Sequence, residues 1–494
     1  MAREGVERQE RPCRPGLRLH SPGHPSAPAV VLLALLLSLA PAHNARAQAG
    51  EGRVTQRGFV EVRGTWFPQT AANDNRRIVG DLLMREEVFV RAADWLRLAG
   101  GADVRANSYD QVEDRWRLRF DDRTTQRPRL TVRRLTATIH RGSWTVDLGR
   151  QFIRWGKADI VTPTDRFAPR DYLNVIDSEF LPVRGARVSY AHEHDTLEAV
   201  VVPWFTPSRT PLLTQRWTPV PNGVVINDVT SEASLPASTQ TGARWSHVGS
   251  GYEYSLAFFN GYNHLPNVQV FGAPAGAGGP FALARSYPRM RMYGGDVAIP
   301  TRWITLKGEA GYFTTTSPAT DEFVLYVVQA ERQTGEWLLI GGYAGVAVTE
   351  AGGGGTFAPD RGTAKSFIGR ASYTIDSTRT TAIEGAVRQD GNGVYLKGEF
   401  SKTSGAHLLG EPKVTSTKLL AVLAADKPPL LAPPLPEASA SCSLATRGVL
   451  PPSLRLPLLL PSPSPALSLA LTSSFARLPV LATSPSLWIP ALAF

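Results

Sequence analysis

WTVDLG, residues Trp144–Gly149, is the stretch on which the fold turns. Trp144, Val146 and Leu148 fall on one side of an extended chain, and Thr145 and Asp147 on the other, because successive strand side chains point to opposite faces. The same two-residue period returns at ITLKGEAGY, where Ile304, Leu306, Ala310 and Tyr312 oppose Thr305, Lys307 and Glu309. It returns again where Val394, Leu396 and Phe400 oppose Tyr395, Lys397 and Glu399. Each segment has one greasy and one charged surface.

A soluble sandwich alternates as well, so the choice rests on three further features. The segments run about ten residues, the length a tilted strand needs to cross a bilayer. Short turns such as Gly249-Ser250-Gly251 and Thr334-Gly335-Glu336 alternate with long loops near 156–182, 206–240 and 263–287. One side of short turns and one of long loops is the asymmetry of outer-membrane barrels. Aromatics gather at segment ends, at Trp66 and Phe67, Trp204 and Phe205, Phe258 and Phe259, and Tyr312 and Phe313, as interfacial girdles would. These features predict an all-β fold, an antiparallel transmembrane β-barrel of about 16–18 strands, a size that leaves an aqueous lumen. Glu86 to Ala99 imitates an amphipathic helix, but Gly100-Gly101 and the alternation beyond favour two strands. Trp337 to Val348 is apolar on both faces, and its period does not orient it.

The N-terminus carries the one clean apolar block, Ala29 to Ala40. Arg3, Arg8, Arg11, Arg14 and Arg18 precede it and Ala47-Gln48-Ala49 follows, the pattern of a signal peptide cleaved after Ala49. Glu4, Glu7 and Glu10 make its leading region unusually long and mixed in charge. The block is too short for a comfortable single-pass anchor. Cys13 lies in this leader and Cys442 in the C-terminal tail, so the body holds no cysteine for disulfides or thiolate metal sites.

The formal charge of +10 belongs mostly to the ends. The leader has six Arg against three Glu, and residues 408–494 have six basic against three acidic side chains, leaving 41 against 37, or +4, for residues 50–407. That balance argues against a nucleic-acid partner. The tail, residues 408–494, holds 15 of the 39 prolines, which cannot donate to a strand ladder. It reads as low-complexity disorder or as sequence translated out of frame. Val394 to Thr403 then becomes an unpaired edge, and the wall is expected to stay incompletely closed. The division expected is a signal peptide over 1–49, a barrel over 50–407 and the tail beyond.

The densest stretch is GRQFIRWGKADIVTPTDRFAPRD, Gly149 to Asp171, where Asp159, Asp165 and Asp171 stand among Arg154, Lys157, Arg166 and Arg170. Pro163 and Pro169 stiffen this loop. A strand with Gly-Arg-Gln, then Trp-Gly, then an Asp- and Pro-rich loop resembles a family of proteobacterial porin-like outer-membrane proteins of unassigned function. Asp390 to His407 is similar to that family's penultimate region, and the resemblance covers residues 50–407. It implies a barrel, with association in some members with lipid or small-molecule export systems, and it assigns no chemistry.

Two constellations could carry selectivity. In the first, the loop folds inward and narrows the pore through Trp155, Asp159, Asp165, Arg166 and Asp171. Its alternative is an external loop latched by Asp–Arg pairs. In the second, Arg97, Asp103 and Arg105 face inward from one strand, Arg115, Arg117 and Arg119 from the next, and Arg129, Arg133 and Arg134 extend the stripe. Arg97, Asp103, Arg105, Arg115, Arg117 and Arg119, with Asp147, Lys307 and Glu309, are the candidate pore-lining residues. Charge on the lipid face near midplane costs about 2–4 kcal/mol, so the interior is the place for it. Such a stripe draws anions, or else pairs with acids such as Asp121 and Asp147.

His192-Glu193-His194-Asp195 sits between two strand segments and reads as a turn, so no metal site is assigned. Gly352 to Gly355 lacks the Lys-Ser/Thr of a phosphate loop, and no G-x-S-x-G nucleophile setting occurs. No catalytic residue and no cofactor is assigned. The expectation is a porin-like outer-membrane channel passing or exporting small solutes, with the lipid bilayer, the barrel-assembly machinery and an export system as its partners. A structural or adhesive barrel, and behind it a barrel enzyme, are the alternatives.

Overall fold

In the computed structural model of this chain, residues 53–426 and 471–475 are described, apart from 68–69, 72, 160, 176–177, 219, 221–224, 231–233, 273–280, 354, 357–360, 362–363, 390–392 and 409–410. The leader and its cleavage site lie outside them. For 402–426 and 471–475 the description is of backbone alone.

The alternating segments become β1 (Val54–Trp66), β2 (Ile78–Ala93), β3 (Leu96–Asn107), β4 (Leu130–Arg141), β5 (Trp144–Gln151) and β6 (Val183–His192). Then come β7 (Asp195–Val202), β8 (Gln240–Gly249), β9 (Tyr252–Tyr262), β10 (Arg289–Pro300), β11 (Thr305–Thr315) and β12 (Glu322–Thr334). The series ends with β13 (Trp337–Glu350), β14 (Ser366–Asp376), β15 (Arg379–Arg388), β16 (Gly393–Leu408) and β17 (Glu411–Asp426). Each pairs antiparallel with the next. Glu86 to Ala99 divides between β2 and β3, and Trp337 to Val348 lies within the single strand β13.

Closure comes from a segment expected to stay outside the wall. Glu411–Asp426 pairs along the whole of β16, and the short β18 (Leu471–Phe475) bridges Lys418–Leu420 to Val62–Trp66 of β1. The expectation of an unpaired edge at Val394–Thr403 is therefore corrected. The prolines that argued against a strand crowd the chain from Pro428 onward, whereas Lys413–Asp426 has none and keeps every backbone donor. Residues 427–470 and 476–494 lie outside the described residues.

At one end of the wall the strands join by short turns, four residues between β10 and β11 and two in the hairpins where Gly142, Gly251 and Gly335 take a positive φ. At the other end run the long connections 67–77, 108–129, 152–182, 203–239 and 263–288. Leu135, Leu148, Leu197, Leu256, Val328 and Ile383 are exposed on the outer face, while Asp103, Asp147, Asp296, Glu309, Gln329 and Glu384 are buried on the inner one. This is a soluble protein turned inside out, the distribution of a membrane barrel. Exposed tryptophans mark both rims, with Trp95, Trp144, Trp303 and Trp337 at the short-turn end and Trp66, Trp116 and Trp204 at the long-loop end.

Candidate functional site: a loop docked across the lumen

The loop after β5 is among the most buried parts of the chain. Just before it, within β5, Gly149 takes φ +116, and a Cβ there would lie 2.2 Å from the Leu135 carbonyl oxygen. Beyond it Trp155 packs edge-on to Phe167, and Phe167 edge-on to Phe259 of β9, with centroids 5.1 and 5.0 Å apart. Gly242 of β8 makes this possible, because a Cβ there would stand 2.7 Å from both Trp155 and Phe167. The Trp155 indole donates to Glu198, and Asp165 Oδ1 accepts the Trp155 and Gly156 amides at 2.5 and 2.7 Å. Hydrogen bonds and apolar contacts thus fold the loop on itself and pack it against β7, β8 and β9 before it reaches the far wall.

That far wall is β11 and β12, six and seven strands round from β5. Glu309 of β11 accepts the Lys157 and Ala158 amides at 2.9 Å each and the Thr164 amide and hydroxyl at 2.8 Å each. The Asp159 amide donates to Gln329 at 2.9 Å, and the Asp159 carboxylate accepts Lys307 at 2.8 Å and Gln329 at 2.7 Å. The Arg166 guanidinium lies 4.9 Å over the Phe313 ring. Four of the five expected constriction residues, Trp155, Asp159, Asp165 and Arg166, thus belong to a strap crossing the lumen.

The fifth, Asp171, does something else. It accepts both forks of Arg127 at 2.8 and 3.0 Å and also Arg209 at 3.0 Å, while Arg209 donates to Asp122 at 2.6 Å and Arg150 reaches that same Asp122. Five charged side chains, all at most 9% exposed, tie the connections 108–129, 152–182 and 203–239 together. Burial alone would raise Asp122 and Asp171, but Arg209 with Arg150, and Arg127 with Arg209, outweigh it and hold both carboxyls below their ordinary value. Asp171 is a latch rather than a lining group. The sequence did not single out Asp122 or Arg209, and the one signal available was their charge within Pro-flanked loops.

The basic stripe divides. Arg105 and Asp103 do face inward, where Arg85, Arg105 and Arg133 surround Asp103 and Glu179, with Arg85–Asp103 at 2.7 Å and Arg105–Glu179 at 2.6 Å. Burial would raise Glu179, yet Arg105, Arg85 and Arg133 hold it well below the usual carboxylate range. Asp147 pairs with Arg187 at 2.7 Å. Arg97 is exposed at the short-turn end, because its place beside a turn decides its surroundings more than its inward parity does. For Arg115, Arg117 and Arg119 the wall strand expected to carry them is corrected. They belong to the 108–129 connection, where Leu118–Arg119 pairs in parallel with Leu130–Thr131, and Arg119 pairs with Asp121 at 3.4 Å.

His264 joins the strap to its neighbour. Its ring nitrogens face the Thr206 carbonyl at 2.6 Å and the Arg166 carbonyl at 2.9 Å, and the ring stacks on Phe205. A neutral ring has one N–H, so it serves one carbonyl only. Burial, against those two contacts and with the nearby Arg166 adding to it, pushes the imidazole down from 6.5 to about 4. The docked form therefore holds a neutral ring and loses stability, relative to any form that wets the ring, as pH falls from 6.5 towards about 4. The full effect is about 3 kcal/mol. Loop cleavage by an acid-active protease should rise across that window, and His264→Phe should flatten the rise. An equally steep rise in the variant would assign it to other groups.

No protein-family model and no curated protein matches the chain. Among solved structures it is similar to OpdQ of Pseudomonas aeruginosa, at 9% identity and a TM-score of 0.43 over 85% of this chain and 97% of that one. OpdK of Pseudomonas aeruginosa gives 8% identity and 0.44 over 85% and 97%. A BenF-like porin from Pseudomonas fluorescens gives 8% and 0.45 over 86% and 98%. Likenesses this distant bear on neither solute nor mechanism, and the barrel stands on its own strand pairing.

Proposed function

We propose that the chain is an outer-membrane, porin-like channel for small solutes, its pathway bounded by the strap on one side and the Arg85–Arg105–Arg133 wall on the other. The observation that carries this is the docking of the strap onto Glu309 across the lumen. A barrel needs no such loop to stand, whereas a selective pore needs a fixed narrow section. Three guanidiniums against two carboxylates leave that wall one positive charge in excess, which favours anions. We assign no catalytic step. On this reading its partners are the bilayer and the barrel-assembly machinery that inserts it, with an export system as a further candidate.

Reversal potentials in planar bilayers under a salt gradient test the proposal. Wild type should prefer anions, and Arg133→Gln should move the potential towards cations. Arg133 is the member chosen because it makes no contact with Asp103 or Glu179 shorter than 3.4 Å, whereas Arg85 and Arg105 each make one at 2.7 or 2.6 Å. An unchanged potential would hand the wall to structural pairing. A silent bilayer would favour the second reading, a structural or adhesive barrel, for which the apolar packing of Phe259, Met292, Phe313 and Leu325 inside the wall speaks.

A further inference from the structure

On the outer face of β9, β10 and β11 the side chains grade from apolar to aromatic to cationic towards the long-loop end, an order the pore does not need. Parity on β10 fixes which residues look outward. Met290 and Met292 are buried in the inner core, and a Cβ at Gly294 would stand 3.1 Å from Thr164 of the strap. The alternate residues Arg289, Arg291, Tyr293, Gly295 and Val297 therefore face away from the lumen. The register carries these positions across three strands. Leu256, Gly295 and Ala310 form an apolar row, Phe258, Tyr293 and Tyr312 an aromatic one, and Asn260, Arg291 and Thr314 a polar one, with Arg289 beyond it. The three rings are 36, 49 and 37% exposed, and those of Phe258 and Tyr293 lie 5.3 Å apart.

Arg291 stands ten residues from Thr301, where the chain turns beside exposed Trp303 at the opposite rim. That is the length of a tilted strand across a bilayer. The aromatic row thus marks the limit of the apolar band at the long-loop end, and both guanidiniums lie just past it, on the same outer side as the rings. Both arginines are exposed. Among the described residues Arg291 has no side-chain partner, and Arg289 reaches only Asn260 Oδ1, at 3.4 Å. Glu322, at the start of β12, accepts the Thr315 amide at 2.9 Å and the Tyr312 hydroxyl at 3.4 Å and pairs with no cation among those residues. Two guanidiniums against one carboxylate leave the patch positive. Two residues apart on one strand face, the arginines are about 7 Å apart at the backbone, close enough for long side chains to share one phosphate. Guanidinium forks match phosphate oxygens bidentately.

We propose that Arg289 and Arg291, with Tyr293 and Phe258 as the apolar footing, bind the phosphate of a phosphorylated lipid head group in the leaflet at the long-loop end. This site rests on the membrane-barrel reading, but it lies on the outside of the wall whose inner face docks the strap.

The test is titration of the full chain, refolded in zwitterionic detergent, with diphosphorylated lipid A, retained lipid being counted by native mass spectrometry. Arg289→Gln with Arg291→Gln should weaken binding about 25-fold, at about fivefold for each cation lost at an anionic surface. High salt should erase most of that difference. Arg115→Gln with Arg117→Gln, which removes two exposed arginines of the 108–129 connection, should leave the affinity unchanged. The same lipid without its phosphates should bind wild type no better than it binds the Arg289/Arg291 variant. Undiminished affinity in that variant overturns the site. An equal loss in the Arg115/Arg117 variant also overturns it, by showing a general effect of surface charge. Displacement of the lipid by equimolar inorganic phosphate does so too, by showing a site for any anion. Absence of a heat-modifiable sheet in wild type would instead strike the membrane reading, with which this site falls, and is distinguishable from a loss of binding in a folded barrel.

Discussion

Glu309→Ala should give a barrel that forms normally and conducts more, with noisier openings than wild type. The carboxylate is 3% exposed and accepts three backbone amides and one hydroxyl from the strap. Removing it orphans those donors, at about 1–3 kcal/mol for each buried one. No other carboxylate is in place to take them, because Asp159 is held by Lys307 and Gln329, and Asp165 by the strap's own Trp155 and Gly156. Glu309→Gln is the finer probe. One oxygen becomes an NH2 that cannot accept, so half of the contacts fail while size and shape stay, and conductance should fall between wild type and Glu309→Ala. The heat-modifiable gel shift should persist in both, since the wall pairs of β11 are backbone pairs with β10 and β12. Wild-type conductance in both variants would mean that the strap does not bound the pathway.

The wall was legible because a strand's period says which face each residue shows. Trp144 and Leu148 are exposed and Asp147 buried, and likewise Val394, Leu396 and Phe400 are exposed where Tyr395 and Lys397 are buried. The period does not say whether a partner strand exists. Arg115–Phe120 alternates as well as any wall segment, yet it stays in a connection because only two of its residues find a neighbour. The reverse holds at Lys413–Asp426, whose low-complexity surroundings hid a run without proline.

The site was half legible for a different reason. Glu309 was placed on the inner face, and the strap residues were singled out by their density of charge. What joins them lies 145–170 residues apart in sequence, as in Thr164–Glu309 and Asp159–Gln329, and no local pattern reports a contact of that span. A charged, Pro-stiffened loop reads equally as a solvated surface feature. Inward folding was one alternative and an Asp–Arg latch the other, and the structure holds both, the strap at Asp159 and Asp165 and the latch at Asp171.

Arg209→Ala should release that latch, with a cost to loop order larger than any single substitution on the wall. Arg209 is 3% exposed and lies between Asp122 and Asp171, themselves 5 and 4% exposed. Removing one partner from buried ions costs about 3–5 kcal/mol, because uncompensated charge stays behind. Lysine should not rescue it, since a single ammonium cannot serve both carboxylates as the planar fork does. The expected readout is rapid limited proteolysis within 203–239 at neutral pH, with the wall still resistant. The pH dependence adds a second signature. Asp122 and Asp171 are depressed below 3.8, so the stability they lend is present above that value and is lost only as pH falls through their lower folded values. Without Arg209 the Asp122 carboxyl keeps Arg150 and Asp171 keeps Arg127, so both should rise towards 3.8 and the loops should come loose at a higher pH than in wild type. Asp122→Asn together with Arg209→Ala should recover part of the loss, as the stranded charge is gone. Unaltered proteolysis across that series would show that these five side chains are carried by the loops rather than holding them.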